Sequence, residues 1–579
     1  MRVVMARKAG FCMGVRRAVQ LALKAAQEAE KPVYTYGPLI HNPQTLKLLE
    51  VLGIKVLKEI PERGKGTVII RAHGVPPEEK ERLKKAGFKV IDGTCPRVLR
   101  VQALARRFSQ EGYHVIIIGD PDHAEVKGIL GYAGERGIVV SNFRDLEKLP
   151  PLEKYVILSQ TTQDEEFFEL IAEEILKRFP GGKVYNTICN ATHNRQQEVR
   201  RLCRECEAIV VVGGKHSANT NRLAMIAREE GRDVFLVETA EELDLEALKK
   251  YRKVGVTAGA STPNWVINQV IRTLEQVPSP HESPWRRLVR KGIRFLFESN
   301  LALALGAVLL SAAVLLLTAK PLAPALLLLA GGFLFSAHTV NRLVDLKALK
   351  LNDPFRAAFL ERYRLLFGLA SVAGYGLSLF LAASLSREIF FLLLGLTLAS
   401  VLYSLPFMGR RHLSPVQRLP GARSLFIALG WTAVIVLVPA LWFGPERADL
   451  WAGGIVFCLA ALRAIFLELL ELQGDGFVGK ETLPVFLGEE RTFLVLRGLL
   501  VLFGLFLLGG LLTKDLPRWS LGLLPSGLYV YYVLRSFEKR LLGRGLFLET
   551  LAEGIPWVFS LNTFLVYLGA AWKKKIWSS

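Results

Sequence analysis

The chain has 579 residues, 51% hydrophobic and 22% charged, and its formal net charge at pH 7 is +21. This length exceeds one ordinary domain. From Pro284 onward 31 Lys and Arg face 17 Asp and Glu, mostly in short connections between apolar stretches. Such a distribution is typical of membrane proteins with positive cytoplasmic loops, and it argues against nucleic acid as a partner.

The composition divides the chain into two halves. Short apolar runs, charged helices and Gly-rich turns predict an α/β domain over residues 1–277. Residues 278–299 contain prolines and then a basic cluster, which predicts a linker and a juxtamembrane segment. Long apolar stretches predict an all-α membrane domain over residues 300–579. Met1 leads almost directly into a strand, so we expect no signal peptide and a cytoplasmic first half.

Three cysteines of the α/β half occupy the same position in a repeated pattern. Cys12, Cys95 and Cys189 each follow a predicted apolar strand and begin a predicted helix. A polar marker follows each cysteine at a nearly constant distance of 29, 28 or 27 residues, and another closes each unit after a further strand. In chain order they are His41 and His73, then His123 and the pair Thr161 and Thr162, then His216 and Ser261. Strand ends meet at one edge of an α/β sheet. We therefore expect three similar βα units, each of about 90 residues, around a central site.

Three thiolates without a fourth ligand in phase favour an iron–sulfur cluster with one open iron. Structural zinc sites and electron-transfer clusters normally use four protein ligands. The His, Thr and Ser markers and Asn219 supply many hydrogen-bond donors, which suits a small, strongly anionic substrate such as a diphosphate. Glu125, in "DHAEVKG", is the one acidic group beside them and the candidate proton source.

The remaining cysteines are interpreted as packed residues. Cys203 and Cys206 form a CxxC pair late in a helix, without a second CxxC, which favours a helical face over a metal pair. Cys458 lies inside an apolar span. An iron–sulfur redox sensor is the alternative for the first half, but a sensor would not need the diphosphate-binding set.

Nine short motifs occur in order between residue 1 and about residue 277. They are "GFCMGVRRA", "HN", "AHGV", "DGTCP", "HAEVKG", "SQTTQ", "CNATHNRQ", "NTNRL" and "VTAGASTP". Together they resemble the 4-hydroxy-3-methylbut-2-enyl diphosphate reductases (the IspH/LytB family). The resemblance implies reductive removal of the substrate hydroxyl, giving isopentenyl and dimethylallyl diphosphate, with electrons from a ferredoxin- or flavodoxin-type donor.

The resemblance also implies roles for individual residues. A 4Fe–4S cluster would be held by Cys12, Cys95 and Cys189, while Glu125 would relay a proton. Thr161 would position this acid. The residues that match the substrate-binding set are His41, His73, His123, Thr161, Ser217, Asn219 and Ser261. Departures from the family pattern are Ala218, in place of a second serine, and Asp120, Ala124 and Lys127 around Glu125. Activity with altered affinity is expected.

Nine apolar spans are predicted in the second half. They lie at about 300–319, 322–340, 365–384, 388–405, 425–444, 450–470, 493–512, 519–536 and 555–571. Basic connections between them predict a multi-pass protein of the cell (inner) membrane with its N-terminal domain in the cytoplasm. The tail "WKKKIW" would then lie outside, against the positive-inside rule.

Polar residues interrupt the ends of two spans. Asn341 and Asp345 share one helical face, as do Glu468, Glu471 and Asp475. They are either solvated interface residues or two carboxylate sets for Mg²⁺ and a diphosphate. The stretch "GDGFVGKETLPVFLG" resembles the UbiA superfamily of intramembrane prenyltransferases, which implies nine helices, a prenyl diphosphate and an acceptor that the sequence does not identify.

Both motifs depart from the pattern of that superfamily. Arg342 and Leu349 replace the first and last aspartates of N-D-x-x-D-x-x-x-D, and glutamates replace two aspartates in the second motif. The sequence therefore predicts a diphosphate reductase fused to a prenyltransferase-like membrane domain. The alternative is that the second half is an inactive membrane anchor for the reductase.

Overall fold

The computed structural model describes residues 1–277, 283–404, 421–539 and 546–576. It divides into two compact units, Met1–His281 and Glu282–Ser579. Part of the predicted linker, most of the basic connection at 406–424 and the end of "WKKKIW" lie outside the described residues.

The first unit alternates short strands and helices. Its strands are β1 (Arg2–Met5), β2 (Val33–Tyr36), β3 (Ile54–Leu57), β4 (Thr67–Ile70), β5 (Lys89–Asp92), β6 (His114–Ile118), β7 (Gly137–Val140), β8 (Tyr155–Ser159), β9 (Lys183–Val184), β10 (Ala208–Val212), β11 (Asp233–Val237) and β12 (Lys253–Ala258). Its helices are α1 (Met13–Glu28), α2 (Pro43–Val51), α3 (Pro77–Lys85), α4 (Pro96–Gln110), α5 (Ala124–Ala133), α6 (Glu165–Arg178), α7 (Asn190–Glu205), α8 (Ala218–Glu229), α9 (Leu245–Leu248) and α10 (Asn264–Gln276).

The strands form three parallel four-stranded sheets with one repeated strand order. The orders are β3-β2-β4-β5, β7-β6-β8-β9 and β11-β10-β12-β1. In the third sheet the missing last strand is supplied by the N-terminus, since β1 pairs with β12 from Arg2 opposite Lys253 to Met5 opposite Val256. The α/β class with parallel sheets is confirmed, and the sheets repeat as the phase of the cysteines predicts.

The sheet β7-β6-β8-β9 is covered on both faces, which explains its nearly continuous apolar strands. In β6, Ile116 and Ile118 pack with α6, whereas Val115 and Ile117 pack with α4 and α5. All four side chains are fully buried. Burial of each such side chain stabilises the fold by about 1.5–3 kcal/mol.

The regular structure of the second unit is helical throughout its described residues. The helices are α11 (Pro284–Glu298), α12 (Leu301–Leu317), α13 (Pro324–Val344), α14 (Leu346–Asn352), α15 (Pro354–Arg362), α16 (Arg364–Leu385), α17 (Arg387–Ser404), α18 (Ala422–Thr432), α19 (Val438–Phe443), α20 (Arg447–Val478), α21 (Leu483–Leu487), α22 (Glu489–Leu512), α23 (Leu524–Glu538) and α24 (Leu546–Ile576). A π-helical turn over Ala433–Leu437 joins α18 to α19.

Six helical segments of this unit are long and apolar enough to cross a membrane. They are Pro324–Val344, Arg364–Leu385, Arg387–Ser404, Ala422–Phe443, Glu489–Leu512 and Phe547–Trp572. The pair formed by α11 and α12 raises the number to seven if it counts as one bent span. A multi-span helical half is therefore confirmed, while the count of nine stays a prediction.

The basic segment before the first span forms α11, which bends by 76° into α12. One face of α11 is apolar and exposed, with Trp285 at 70% and Leu288 at 61% exposure. Arg290 and Arg294 lie on the opposite, less exposed face, where Arg294 pairs with Glu298 at 2.6 Å. A helix with an exposed apolar face and a basic face opposite to it is typical of helices that lie in the membrane surface.

A buried ion pair connects the start of α20 to the turn between α12 and α13. The Lys320 ammonium group lies 2.6 Å from both carboxylate oxygens of Asp449. Asp449 Oδ2 also accepts a hydrogen bond from the Glu446 N–H at 2.8 Å, which caps α20. The pair therefore fixes two helix ends together.

Removing one partner of this pair should destabilise the second unit strongly. We expect Lys320→Met to lower the free energy of unfolding by about 3–5 kcal/mol, because Asp449 is left buried without its cation. The double variant Lys320→Met/Asp449→Leu should lose less than this single variant. Thermal unfolding of the full chain in detergent measures both. A single variant as stable as the original chain would contradict the expectation.

Candidate functional site

A cavity of about 110 Å³ in the first unit is lined by residues that follow the carboxyl ends of strands from all three sheets. Among the residues predicted for the first half, it brings together Cys12, His41, His73, Cys95, His123, Glu125, Thr161, Cys189, Ser217, Asn219 and Ser261, but not His216. Thr162 lines it too. The spacing of the cysteines and of most markers therefore agrees with one site, and the family resemblance added Ser217 to it.

The three cysteines occupy equivalent positions, each as the N-cap residue of a helix: Cys12 of α1, Cys95 of α4 and Cys189 of α7. One backbone hydrogen bond is repeated at all three. The Cys12 N–H donates to Ala260 O at 3.1 Å, that of Cys95 to Ala72 O at 2.9 Å, and that of Cys189 to Thr161 O at 2.8 Å. Each acceptor lies beside or at the polar marker that closes a unit (Ser261, His73 or Thr161), so the repeat extends to backbone contacts.

The thiols of Cys12, Cys95 and Cys189 lie close enough to affect one another. Burial raises the pKa of Cys95, and the nearby thiols of Cys12 and Cys189 raise it further, against the lowering effect of two backbone N–H groups. Gly14 leaves room beside Cys95, since a Cβ there would lie 2.5 Å from the Cys95 Sγ. The side chains of Cys12, Cys95 and Cys189 all line the cavity. Three thiols spread around one cavity fit a cluster of several atoms.

The three histidines are packed against one another, and burial disfavours their charged forms. The His73 ring centroid lies 5.0 Å from that of His41 and 5.4 Å from that of His123. Burial lowers the pKa of all three, to about 4 for His123. His123 Nδ1 accepts a hydrogen bond from the Glu125 N–H at 3.2 Å, which leaves its Nε2–H free to donate. They are therefore hydrogen-bond donors rather than cations.

The third unit contributes hydroxyl and amide groups. Ser217 caps α8, with its Oγ accepting from the Thr220 N–H at 3.4 Å, and Ser261 donates to His41 O at 3.1 Å. Asn219 Nδ2 is buried without a hydrogen-bond partner. An unpaired donor in the first turn of a helix suits an anionic ligand. His216, the marker noted in the sequence, is exposed and does not line the cavity, so its neighbour Ser217 takes that place.

Glu125 is buried in the first turn of α5 and paired with Thr161. The Thr161 N–H and Oγ–H donate to its two carboxylate oxygens at 2.6 and 2.9 Å. Burial raises the pKa of Glu125 to about 7, against the two hydrogen bonds that favour the charged form. A carboxyl group that titrates near neutral pH can both give and take a proton.

Arg195 is a site residue that the sequence argument missed. Its buried guanidinium lines the cavity and donates to Gly10 O at 2.5 Å and to Ala191 O at 2.9 Å. It thus connects the segment before Cys12 to the helix that Cys189 opens. A signal existed, since Arg195 lies one helical turn from the buried Val199 and Thr192, where a charge is unusual.

A second cavity, of about 90 Å³, lies in the helical unit. Asn341, Asp345, Glu468 and Glu471 line it. Asp475 is fully buried and accepts a hydrogen bond at 3.0 Å from Asn352, another lining residue. Both predicted polar sets are therefore brought to one place.

Several cations of this second cavity were not predicted as site residues. They are Arg342, Arg356, Arg423, Arg463 and Lys480. Arg463 donates to both carboxylate oxygens of Glu553 at 2.7 Å each, and Lys480 contacts Asp345 and lies 3.8 Å from Asp475. Arg463 could have been found, because a charge inside the apolar run "LAALRAIF" marks a functional candidate.

A larger apolar cavity of about 370 Å³ adjoins the polar one, since both are lined by His338, Asn341, Arg423 and Ile427. Its wall includes Trp431, whose Nε1–H donates to His338 Nε2 at 3.0 Å. A polar cavity joined to an apolar one suits a ligand with an anionic head and a hydrocarbon tail.

Sequence comparison matches two families to the two halves. The profile of "LytB protein" matches residues 3–275, and that of "UbiA prenyltransferase family" matches residues 361–544. The 4-hydroxy-3-methylbut-2-enyl diphosphate reductase of Aquifex aeolicus is 44% identical over 283 residues, 48% of this chain and 96% of the relative. The reductase of Geobacter sulfurreducens is also 44% identical, over 48% of this chain and 98% of the relative.

Solved structures resemble each half in turn. A structure of (E)-4-hydroxy-3-methyl-but-2-enyl diphosphate reductase is 44% identical and aligns over 48% of this chain and 100% of its own, with a TM-score of 0.39. A UbiA homolog from Archaeoglobus fulgidus bound to GPP and Mg²⁺ is 19% identical over 47% of this chain and 98% of its own, with a TM-score of 0.37.

Proposed function

The chain belongs to the LytB protein family, and on this premise we propose that its first half reduces 4-hydroxy-3-methylbut-2-enyl diphosphate to isopentenyl and dimethylallyl diphosphate. One observation carries the proposal: three equivalent cysteines, the Glu125–Thr161 pair and a set of neutral donors line one cavity. The second half carries a UbiA-like membrane domain. We place the reductase at residues 1–277, the linker and juxtamembrane segment at 278–299 and the membrane domain at 300–579.

The cofactor that fits the first cavity is one 4Fe–4S cluster on Cys12, Cys95 and Cys189. When bound, it would pass the two electrons of the reduction one at a time from an electron donor and would offer the substrate hydroxyl an iron without a cysteine ligand. A ferredoxin- or flavodoxin-type protein is the proposed electron donor. The reaction consumes two electrons and two protons, breaks one C–O bond, forms one C–H bond and releases water.

The residues of the chain bind the substrate and handle its protons. His41, His73 and His123, with Ser217 and Asn219, offer neutral N–H and O–H donors to the diphosphate, and Ser261 would join them by turning its O–H away from His41 O. Glu125 would supply a proton to the departing hydroxyl while Thr161 holds its carboxyl group in place. Ala218 also lines the cavity and offers no hydroxyl there, which would weaken phosphate binding without removing the site.

Anaerobic purification of the full chain tests the reductase. With the cluster present and a chemical reductant such as dithionite, we expect conversion of the hydroxylated diphosphate to both five-carbon products. A preparation that holds three-cysteine-ligated iron and forms neither product would refute the proposal.

We propose that the second half is a Mg²⁺-dependent prenyltransferase rather than an inactive anchor. Two observations favour activity. The polar cavity adjoins an apolar cavity of about 370 Å³, and two buried carboxylate oxygens, Glu468 Oε1 and Asp475 Oδ2, have no hydrogen-bond partner. Mg²⁺ held by a few carboxylates and a prenyl diphosphate would satisfy both oxygens. The molecule that accepts the prenyl group is not identified.

The nine predicted spans, the cell (inner) membrane and the cytoplasmic position of the first half belong to the same proposal. Every predicted span overlaps a helix of the second unit, including α20, α23 and α24. The exposed apolar face of α11 and its 76° bend support a helix at the cytoplasmic membrane surface. Positive connections on that side fit the same orientation.

Asp475→Asn tests the membrane activity. We expect Mg²⁺-dependent diphosphate release from prenyl diphosphates, with candidate acceptors, to fall by at least about 100-fold, because one metal ligand becomes neutral. Reductase activity should be unchanged. The matched control Glu361→Gln, at an exposed residue paired with Lys350, should keep both activities. If diphosphate release is unaffected by Asp475→Asn, the result would favour the alternative that the second half is an inactive membrane anchor.

A further inference from the structure

A basic surface lies next to the three cysteines of the first unit. The five residues that follow each cysteine, 13–17, 96–100 and 190–194, together contain four arginines and no Asp or Glu. These segments begin α1, α4 and α7. An arginine near the start of a helix is unfavourable, because that end carries a partial positive charge. Helix stability therefore does not account for these arginines.

Hydrogen bonds hold the starts of the three helices together. Arg17 of α1 donates to Thr94 O at 2.9 Å, directly before Cys95 and α4. Arg195 of α7 donates to Gly10 O, in the loop before α1. The start of α1 thus contacts the start of each of the other two helices. The residues that follow the three cysteines therefore belong to one surface, which we call the basic surface.

The positive charge of the basic surface is available to a partner. Arg97 and Arg100 are exposed and form no ion pair with any residue that the structure describes. The carboxylates beside these turns are each paired already: Asp92 with Lys80, Glu165 with His193, and Glu198 with Arg201. An acidic partner would therefore meet cations without having to displace a carboxylate of the chain.

Apolar side chains are exposed on the same helix starts. Met13, which directly follows Cys12, is 60% exposed, and Leu99 is 38% exposed. Neither Met13 nor Arg100 is among the residues that line the cavity, so both point to a ligand outside it. Met and Arg are enriched in protein–protein interfaces. Exposed apolar side chains among cations therefore fit a protein partner better than a small anion.

We infer that the basic surface docks an acidic protein that carries one electron. The inference rests on the proposed reductase function, because that function needs electrons at the cysteines beside this surface. In each encounter the carrier loses one electron to the proposed cluster, so two encounters supply the two electrons of one turnover. Opposite charges on the two proteins would speed each encounter.

Association rates test the docking surface. The probe is a purified acidic flavodoxin, and the full chain is held in nanodiscs of phosphatidylcholine. We expect Arg100→Glu to lower the association rate at low salt by at least about tenfold, because electrostatic steering contributes about 10–10³-fold. The effect should largely disappear at about 1 M salt, where charges are screened. Glutamate is favourable toward the start of a helix, so this variant should fold.

Arg106→Glu is the matched control. Arg106 is another exposed arginine of α4 that forms no ion pair with a described residue. It lies about two and a half turns beyond Arg97, and therefore on the opposite side of the helix. The substitution changes the net charge by the same amount and should leave the association rate near that of the original chain. Equal rates in the two variants, or no measurable association with any chain, would overturn the inference.

Two reductants separate this inference from the proposed function. With dithionite, which needs no docking surface, Arg100→Glu should form product at the original rate. With reduced flavodoxin its rate should fall by about tenfold. An equal fall with both reductants would show that Arg100 acts on the substrate, and would overturn the inference. If the original chain forms no product with dithionite, the reductase proposal fails, while the association rates still decide whether the basic surface docks the carrier.

Discussion

Replacing Cys12 with serine should remove the proposed iron–sulfur cluster and the proposed reductase activity while the chain stays folded. Cys12 lies at the N-cap of α1, and its backbone N–H is held by Ala260 O whatever the side chain. A serine oxygen can still cap the helix but is a poor ligand for cluster iron. We expect the rate to fall by more than about 100-fold, because losing only the supporting partner of a ligand already costs about 10–100-fold. Iron and sulfide content and the reductase rate measure the change.

Cys203→Ala is the matched control for this loss. Cys203 is buried in α7 and is not among the residues that line the cavity. This variant should keep its cluster and its rate. A Cys12→Ser chain with a full cluster and an unchanged rate would contradict the three-cysteine site. Equal losses in both variants would show that the cysteines matter only for packing.

Glu125→Gln should slow the reduction by about 10²–10⁴-fold, the usual contribution of a general acid. The amide oxygen of glutamine can still accept from Thr161, and a neutral side chain suits this buried position, so the variant should fold and bind the diphosphate. The loss should therefore appear in kcat rather than in KM. The exposed Glu174, paired with Arg178 at 3.0 Å, provides the control Glu174→Gln.

The same residue should set the pH dependence. Burial raises the pKa of Glu125 to about 7, so the proton it donates is lost as pH rises through 7 and kcat should fall there. Glu125→Gln should lose this descending limb. Between the ordinary pKa of glutamate and pH 7 the folded chain holds a proton that the unfolded chain has released, so this group lowers stability as pH rises across that window. A variant with the original rate and profile would exclude Glu125 as the acid.

The sequence predicted most of the first site because its signals are local. A cysteine between a strand and a helix, repeated three times, can be recognised without knowing which strands pair. Arg195 could not be placed in this way, since it binds Gly10, 185 residues earlier in the chain. Ser217 faces the cavity because it caps α8. The sequence could not distinguish it from His216, since helix boundaries are uncertain by a residue or two.

The site of the membrane half was harder to predict from the sequence, for a physical reason. Apolar runs predict spans, but the polar cavity depends on contacts between distant helices, such as Arg463 of α20 with Glu553 of α24. Charges at the ends of predicted spans are also expected as solvated residues at the interface. Only the structure shows that Lys480 lies between Asp345 and Asp475 rather than in a solvated loop.

The pairing of β1 with β12 orders events during synthesis. Strand β1 is made first, but its partner begins at Lys253, and the carbonyl that holds the Cys12 N–H belongs to Ala260. At roughly 5–20 residues per second, translation takes on the order of 10–50 s to cover that interval. The first cysteine to be synthesised is thus the last to reach its final position. All three thiols can surround the proposed cluster only after the ribosome has passed residue 260, shortly before it reaches the first predicted apolar span.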